Sequence, residues 1–75
     1  MATETSRTFD FAHGAVIVQV SDSLGRPSSH TIYVTGPAGV ANIDAAVADI
    51  LTKTEAAATA MQAAFVAAGW VPSGN

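Results

Sequence analysis

From Ile43 to Ala68 apolar side chains recur at steps of three and four: Ile43, Val47, Ile50, Leu51, Thr54, Ala57, Ala58, Met61, Ala64, Phe65 and Ala68. That spacing predicts a single helix, and 26 residues at 1.5 Å each make a rod about 39 Å long. Asn42 is placed to cap its start, with Asp44 and Asp49 adding negative charge where the helix dipole favours it. Gly69 follows the last periodic residue and predicts a left-handed C′ position. Trp70 then falls at C″ and Phe65 at C3, the apolar pair of a Schellman ending, and Pro72 forbids continuation. Whatever precedes the rod has to be shaped to pack along it.

The preceding segment reads as strand. Phe9 and Phe11 alternate with Thr8, Asp10 and Ala12, while Val16, Val18 and Val20 alternate with Ile17, Gln19 and Ser21. The parity changes from odd to even between the two stretches, and a one-residue slip moves side chains to the opposite face. His13-Gly14 marks the break. A bulge at Gly14, the favoured solution, keeps Phe9, Phe11, Val16, Val18 and Val20 on one face of a long bent strand; a hairpin turn at His13-Gly14 is the alternative. Ser21 to Ser29, with Asp22, Gly25 and Pro27, reads as a hairpin connection. His30 to Thr35 is the return strand, and Gly36-Pro37-Ala38-Gly39 stops the sheet as a loop. Met1 to Arg7 lacks periodicity and is expected to be a flexible arm, from which Glu4 and Arg7 can reach a neighbouring subunit. The expected fold is therefore α+β: an antiparallel β-hairpin, or a three-stranded meander, followed by one long C-terminal helix packed on the sheet. Its boundaries are a flexible arm over 1–7, a single domain over 8–71 and a flexible tail over 72–75.

A fold of this size is short of interior. Area scaling gives the 7.6 kDa chain about 11,000 Å² unfolded and about 4,300 Å² as a compact monomer, so roughly 60% of its surface is buried. Chains this small usually need a disulfide, a metal or a partner subunit. Cysteine is absent, which removes disulfides, thiolate metal sites and thiol nucleophiles. Three basic residues (Arg7, Arg26, Lys53) against six acidic ones are too few to neutralise a run of phosphates, so no nucleic-acid partner is expected. No apolar stretch approaches the ~20 residues of a membrane span, and Met1 to Arg7 lacks the pattern of a signal peptide. These absences leave the final localisation open; cytoplasmic synthesis is expected, with incorporation into a virion as one destination. A partner subunit remains as the staple. Only 12% of residues are charged, about half the usual share, which suits a chain that hides surface against neighbours. The helix flank of Ala45, Ala46, Ala48, Ala56, Ala60, Ala63 and Ala67 is small enough to admit one closely, although alanine also simply favours helix.

Reactive side chains form no recognisable pattern. His13 and His30 with Asp10 or Asp22 make at most a nominal metal set, without the spacing of a zinc site. A Ser-His-Asp list carries no information without geometry. Gly36 to Gly39 precedes a helix but lacks the lysine of a phosphate loop. No catalytic residue, metal or cofactor is therefore expected. Phe9, Phe11, Phe65 and Trp70 are expected to spend their area on core and cap packing, and Tyr33 to face outward beside Ile17 on the uncovered side of the sheet. Ile17, Tyr33, Phe65 and Trp70 are the candidate interface residues.

The expected function is a non-enzymatic structural or assembly subunit, acting as a homo-oligomer or by docking on a larger structural protein. A small component of a phage virion (capsid decoration, neck or tail) is its natural setting, and no small-molecule substrate is expected. The alternatives are a small oligomeric ligand-binding protein, with aromatics stacking a flat molecule between subunits, and a small regulatory protein-binding partner whose helix docks in a groove.

Overall fold

A computed structural model describes residues 1–70 of the chain. Three strands, β1 (Thr3–Asp10), β2 (Ala15–Ser21) and β3 (Pro27–Tyr33), form an antiparallel sheet in the order β1-β2-β3. A short helix α1 (Pro37–Ala41) leads into α2 (Ile43–Ala67), which packs on one face of the sheet. The fold is α+β in its three-stranded form.

β2 supplies the core. Val16, Val18 and Val20 alternate onto the face under the helix and are essentially buried, as the period-2 pattern requires. They cluster with Ala2, Ile43 and Val47, and Ile32, Val34, Ile50 and Leu51 pack around them. The interior is thus aliphatic throughout.

The parity change after Phe11 is absorbed by a turn, not by a bulge at Gly14. β1 ends at Asp10, residues 11–14 reverse the chain, and Phe9 lies opposite Val16 on the same face. Gly14 has φ +59°, and a Cβ there would sit 2.9 Å from the Val34 carbonyl oxygen, so both the backbone and the space demand glycine. Its own carbonyl accepts the Val34 N–H at 2.7 Å. A register irregularity does occur in β1, between Glu4 and Ser6.

The expected arm is also strand. Thr3 to Arg7 pair with Ser21 to Val18, and Ala2 is buried, so the fold begins well before Thr8. Periodicity is missing because the inward positions of this edge strand carry an ion pair: the Arg7 guanidinium donates to both Glu4 carboxylate oxygens (2.7 and 2.8 Å) and to Asp44 at the start of α2 (2.8 Å). Glu4 and Arg7 are therefore engaged within the chain. β3 begins at Pro27 and ends at Tyr33, displaced toward the N-terminus from the expected His30 to Thr35; proline is tolerated as the first residue of an edge strand.

The β2–β3 loop is organised by Asp22, the one charged residue buried among those described. Its carboxylate accepts the N–H groups of Leu24 (2.9 Å) and Arg26 (3.0 Å) and the Arg26 guanidinium (2.9 Å). These bonds, led by the Arg26 N–H, hold the Asp22 carboxyl below its ordinary range.

Gly36-Pro37-Ala38-Gly39 does not stay a loop: Pro37 opens α1, where its missing N–H costs nothing. Asn42 joins the two helices. Its carbonyl accepts the Ala46 N–H (3.0 Å), but its side chain donates back to the Ala38 carbonyl (2.9 Å) and does not cap α2. The C-terminal ending follows the sequence: the Trp70 N–H donates to Phe65 O (2.9 Å), the Gly69 N–H to Val66 O (3.0 Å), and Gly69 has φ +91°. This is the Schellman pair of bonds. The expected tail at 72–75 lies outside the described residues.

α2 is longer than the sheet it lies on. Its 25 residues span about 37 Å, whereas a seven-residue strand spans about 23 Å. The last ties to the sheet end are Ser23 to Glu55 and the Arg26 guanidinium to Met61 Sδ (3.2 Å). Residues 62–70 are all exposed, and the molecule is an elongated body of 48 × 18 × 16 Å.

Candidate interaction surface

The long helix on a short sheet leaves two apolar surfaces, one at each end, because each hydrophobic run outlasts its cover. At the end where α2 begins, the β1–β2 turn and the segment after β3 stand apart around a groove of about 460 Å³ lined by Phe9, Phe11, Val16, Val34, Val40 and Ile43. Phe11 projects from the turn and stacks on Phe9, with ring centroids 6.2 Å apart and planes 13° from parallel. Phe9 shares the inner face with Val16 but lies on the edge strand, and Phe9, Phe11 and Val40 are 50%, 90% and 59% exposed. At the other end, the overhang of α2 presents Phe65, Val66 and Trp70, 51%, 55% and 66% exposed. No charged residue occurs between Glu55 and Trp70.

The sheet face away from α2 is the third surface. Ile17 is half-buried there, flanked by Thr8 and Thr31, and Tyr33 lies opposite Ala15, 75% exposed. The four candidate residues therefore fall on two surfaces: Ile17 and Tyr33 on the outer sheet face, Phe65 and Trp70 on the helix end. Sequence reasoning missed Phe9, Phe11 and Val40, which it left to the core or unremarked. Phe9, Phe11, Phe65 and Trp70 do not fill the interior; with Tyr33, all five aromatic residues are at least half exposed. Reading His13-Gly14 as a turn would have exposed Phe11, since a residue inside a chain reversal is lifted from the sheet.

Ionisable groups are tied up locally instead of converging. His13 pairs with Asp10 (2.8 Å) in the β1–β2 turn and His30 with Ser28 (2.9 Å) on β3. Lys53 pairs with Asp49 (2.9 Å), which raises its pKa. Glu55 accepts from the Ser23 hydroxyl and N–H, and the hydroxyl bond leads in holding its pKa down. The Glu4 pKa is lowered chiefly by its bond from Arg7. Among the described residues no group of three or more His, Cys, Asp or Glu can hold a metal ion, and no helix is long and apolar enough to cross a membrane. Asp10, bound to His13, is the one acidic side chain on the groove wall. The groove wall and the helix end are lined mainly by apolar side chains. No protein-family model, curated protein or solved structure matches this chain.

Proposed function

We propose that this chain is a non-enzymatic assembly subunit that works by burying its exposed aromatic surface against other copies of itself or a larger structural protein. One observation carries the reading. The interior is built from valine, isoleucine and alanine, while every aromatic residue lies at least half in water. An aromatic side chain buries 150–250 Å² when covered, so the five together leave about 660 Å² of ring surface uncovered. That area is divided among three surfaces, the groove, the helix end and the outer sheet face, so the chain offers several apolar contacts and not one large patch. The pairing of charged groups into local clusters supports the non-enzymatic part, because catalysis needs such groups aimed at a common point. A small phage virion component is the proposed setting: a chain with a thin core and apolar ends gains its stability from a surrounding lattice.

Sedimentation velocity and native mass spectrometry over nanomolar to micromolar concentrations test the proposal. Reversible growth of the particle with concentration is expected; a cooperative, folded monomer throughout would refute self-association. The groove offers a second reading. Its volume suits a small ligand, and a co-purifying molecule seen in the native mass spectrum would favour ligand binding.

A further inference from the structure

The sheet has two edges, and they are not alike. β3 pairs with β2 alone, without a register shift from Ala15–Tyr33 to Ser21–Pro27. Two bonds that continue this ladder fix which groups of β3 it uses. The Val34 N–H donates to the Gly14 carbonyl (2.7 Å) at one end, and the Asp22 N–H to the Arg26 carbonyl (3.1 Å) at the other. Hydrogen-bonded pairs alternate along an antiparallel ladder, so Ser28, His30 and Ile32 turn their N–H and carbonyl groups to β2. Those of Ser29, Thr31 and Tyr33 point outward, away from both other strands. We propose that two copies of this chain pair through these groups, β3 against β3 in antiparallel register, to make one continuous sheet with both α2 helices on the same face. The proposal rests on the self-association reading above and names the strand that mediates it.

The edge itself says what fits it. Outward N–H and carbonyl groups repeating every second residue, about 6.8 Å apart, are matched group for group by another extended strand. A copy of β3 is such a strand. With Thr31 opposite Thr31, Ser29 of each copy meets Tyr33 of the other, and the outward groups of all three residues find partners. Threonine opposite threonine is a favourable cross-strand pair. No Asp, Glu, Lys or Arg lies between Arg26 and Asp44, so the pairing brings no like charges together. Side chains also keep their environments. Exposed Ser29, Thr31 and Tyr33 stay on the outer face, and half-buried His30 and Ile32 lie on the helix side, each opposite the other in the second copy. Pro27, which lacks an N–H, falls beyond the paired stretch.

The β1 edge is closed to the same contact. Its register shifts between Glu4 and Ser6, and the Thr5 hydroxyl donates to the Gln19 carbonyl (3.2 Å). Glu4 and Arg7 hold inward positions as an ion pair tied to Asp44. A bulge and inward-pointing charges are devices that keep an edge from pairing, and β3 has neither. β3 of one copy therefore finds no open β1 on the next, and sheet growth in one direction is blocked. The contact left is isologous, β3 to β3 about a two-fold axis, and it keeps the groove and the helix end free for further contacts.

The test reads amide hydrogen exchange of the full chain over a dilution series, with the association state followed by sedimentation velocity. The His30 and Ile32 amides, bonded to β2, are expected to be protected at every concentration, and those of Ser29, Thr31 and Tyr33 only where the chain is associated. Thr31→Pro removes an outward donor and leaves the β2 ladder intact, as an edge strand allows. It is expected to weaken association about tenfold or more with an unchanged circular dichroism spectrum. Thr31→Lys, which sets like charges opposite each other, gives the same loss if the proline variant misfolds. If the associated protein leaves the three outward amides unprotected, or folded Thr31 variants associate as tightly as wild type, the β3 pairing is wrong and self-association stands. Protection of the three amides in the dilute monomer would place something other than a second copy on the edge and overturn the pairing as well. A wild type that never leaves the monomer overturns both readings.

Discussion

Replacing Trp70 by serine separates surface used for association from surface used for folding. Trp70 is 66% exposed, so of the ~250 Å² a large aromatic can bury, about 165 Å² is still available to a partner. At about 25 cal/mol per Å² that is an upper limit near 4 kcal/mol. Truncated interface aromatics commonly cost about 2 to 4 kcal/mol, which corresponds to a dissociation constant roughly 30- to 1000-fold weaker. The effect on folding is different. The Schellman bonds at this end come from backbone N–H groups, which the substitution keeps, and residues 62–70 lie beyond the buried cluster, so losing the ring takes nothing from the core. A dilution series by sedimentation velocity gives the dissociation constant, and urea unfolding at the lowest concentration gives the stability of the monomer. The expected pair of results is a weaker association and an unchanged midpoint. An unchanged dissociation constant would show that the helix end carries no contact, and a large loss of monomer stability would show that Trp70 belongs to the fold.

Three further outcomes follow from the interior and the loops. Val18→Ala, at a fully buried position on the central strand, removes two carbons and leaves a small cavity, and should lower stability by about 2 kcal/mol in urea titration; no change would contradict an aliphatic core centred on β2. Glu4, Asp22 and Glu55 have folded pKa values below the ordinary 4.5, 3.8 and 4.5. Their contribution is therefore fully present above those ordinary values and is lost as pH falls through the lowered ones: the thermal midpoint should hold from neutrality to about pH 4.5 and fall below it, less steeply in Asp22→Asn. Gly14→Ala adds a 2.9 Å clash to a positive φ, whereas Gly25→Ala, at φ +81° with open space around it, meets only the left-handed backbone penalty of about 1–2 kcal/mol; the Gly14 variant should have the lower melting temperature of the two.

What the sequence made legible were the features set by local pattern. Valine alternation marks β2, and steps of three and four mark α2. The order Phe65, Gly69, Trp70 specifies the helix ending down to its two hydrogen bonds. What it hid were features settled by pairing at a distance. β1 looks like a disordered arm because its inward residues Glu4 and Arg7 answer to Asp44, 37 positions beyond Arg7, and not to an apolar neighbour. Asn42 looks like a side-chain cap, but α1 offers the Ala38 carbonyl first. The aromatics look like core because large apolar residues usually are, and their exposure depends on how far a helix of one length covers a sheet of another. Of the interaction surface, Phe65, Trp70, Ile17 and Tyr33 were visible as candidates; the groove was not, since it exists only once the chain reverses at Gly14 and turns again at Pro37.

The rigidity of the projecting terminus bears on how it can act. A bare helix end frays, and a partner binding it would have to order several residues at about 1–2 kcal/mol each in backbone entropy. Here the Gly69 and Trp70 N–H groups close the last turn, and Gly69 adopts φ +91°, so the backbone carrying Phe65, Val66 and Trp70 is held before any partner arrives. Ordering in advance lowers the entropic cost of binding. A small contact gains most from that saving, because a small contact has little area with which to offset ordering. The bonds that end the helix therefore also hold in place the backbone that presents its exposed side chains.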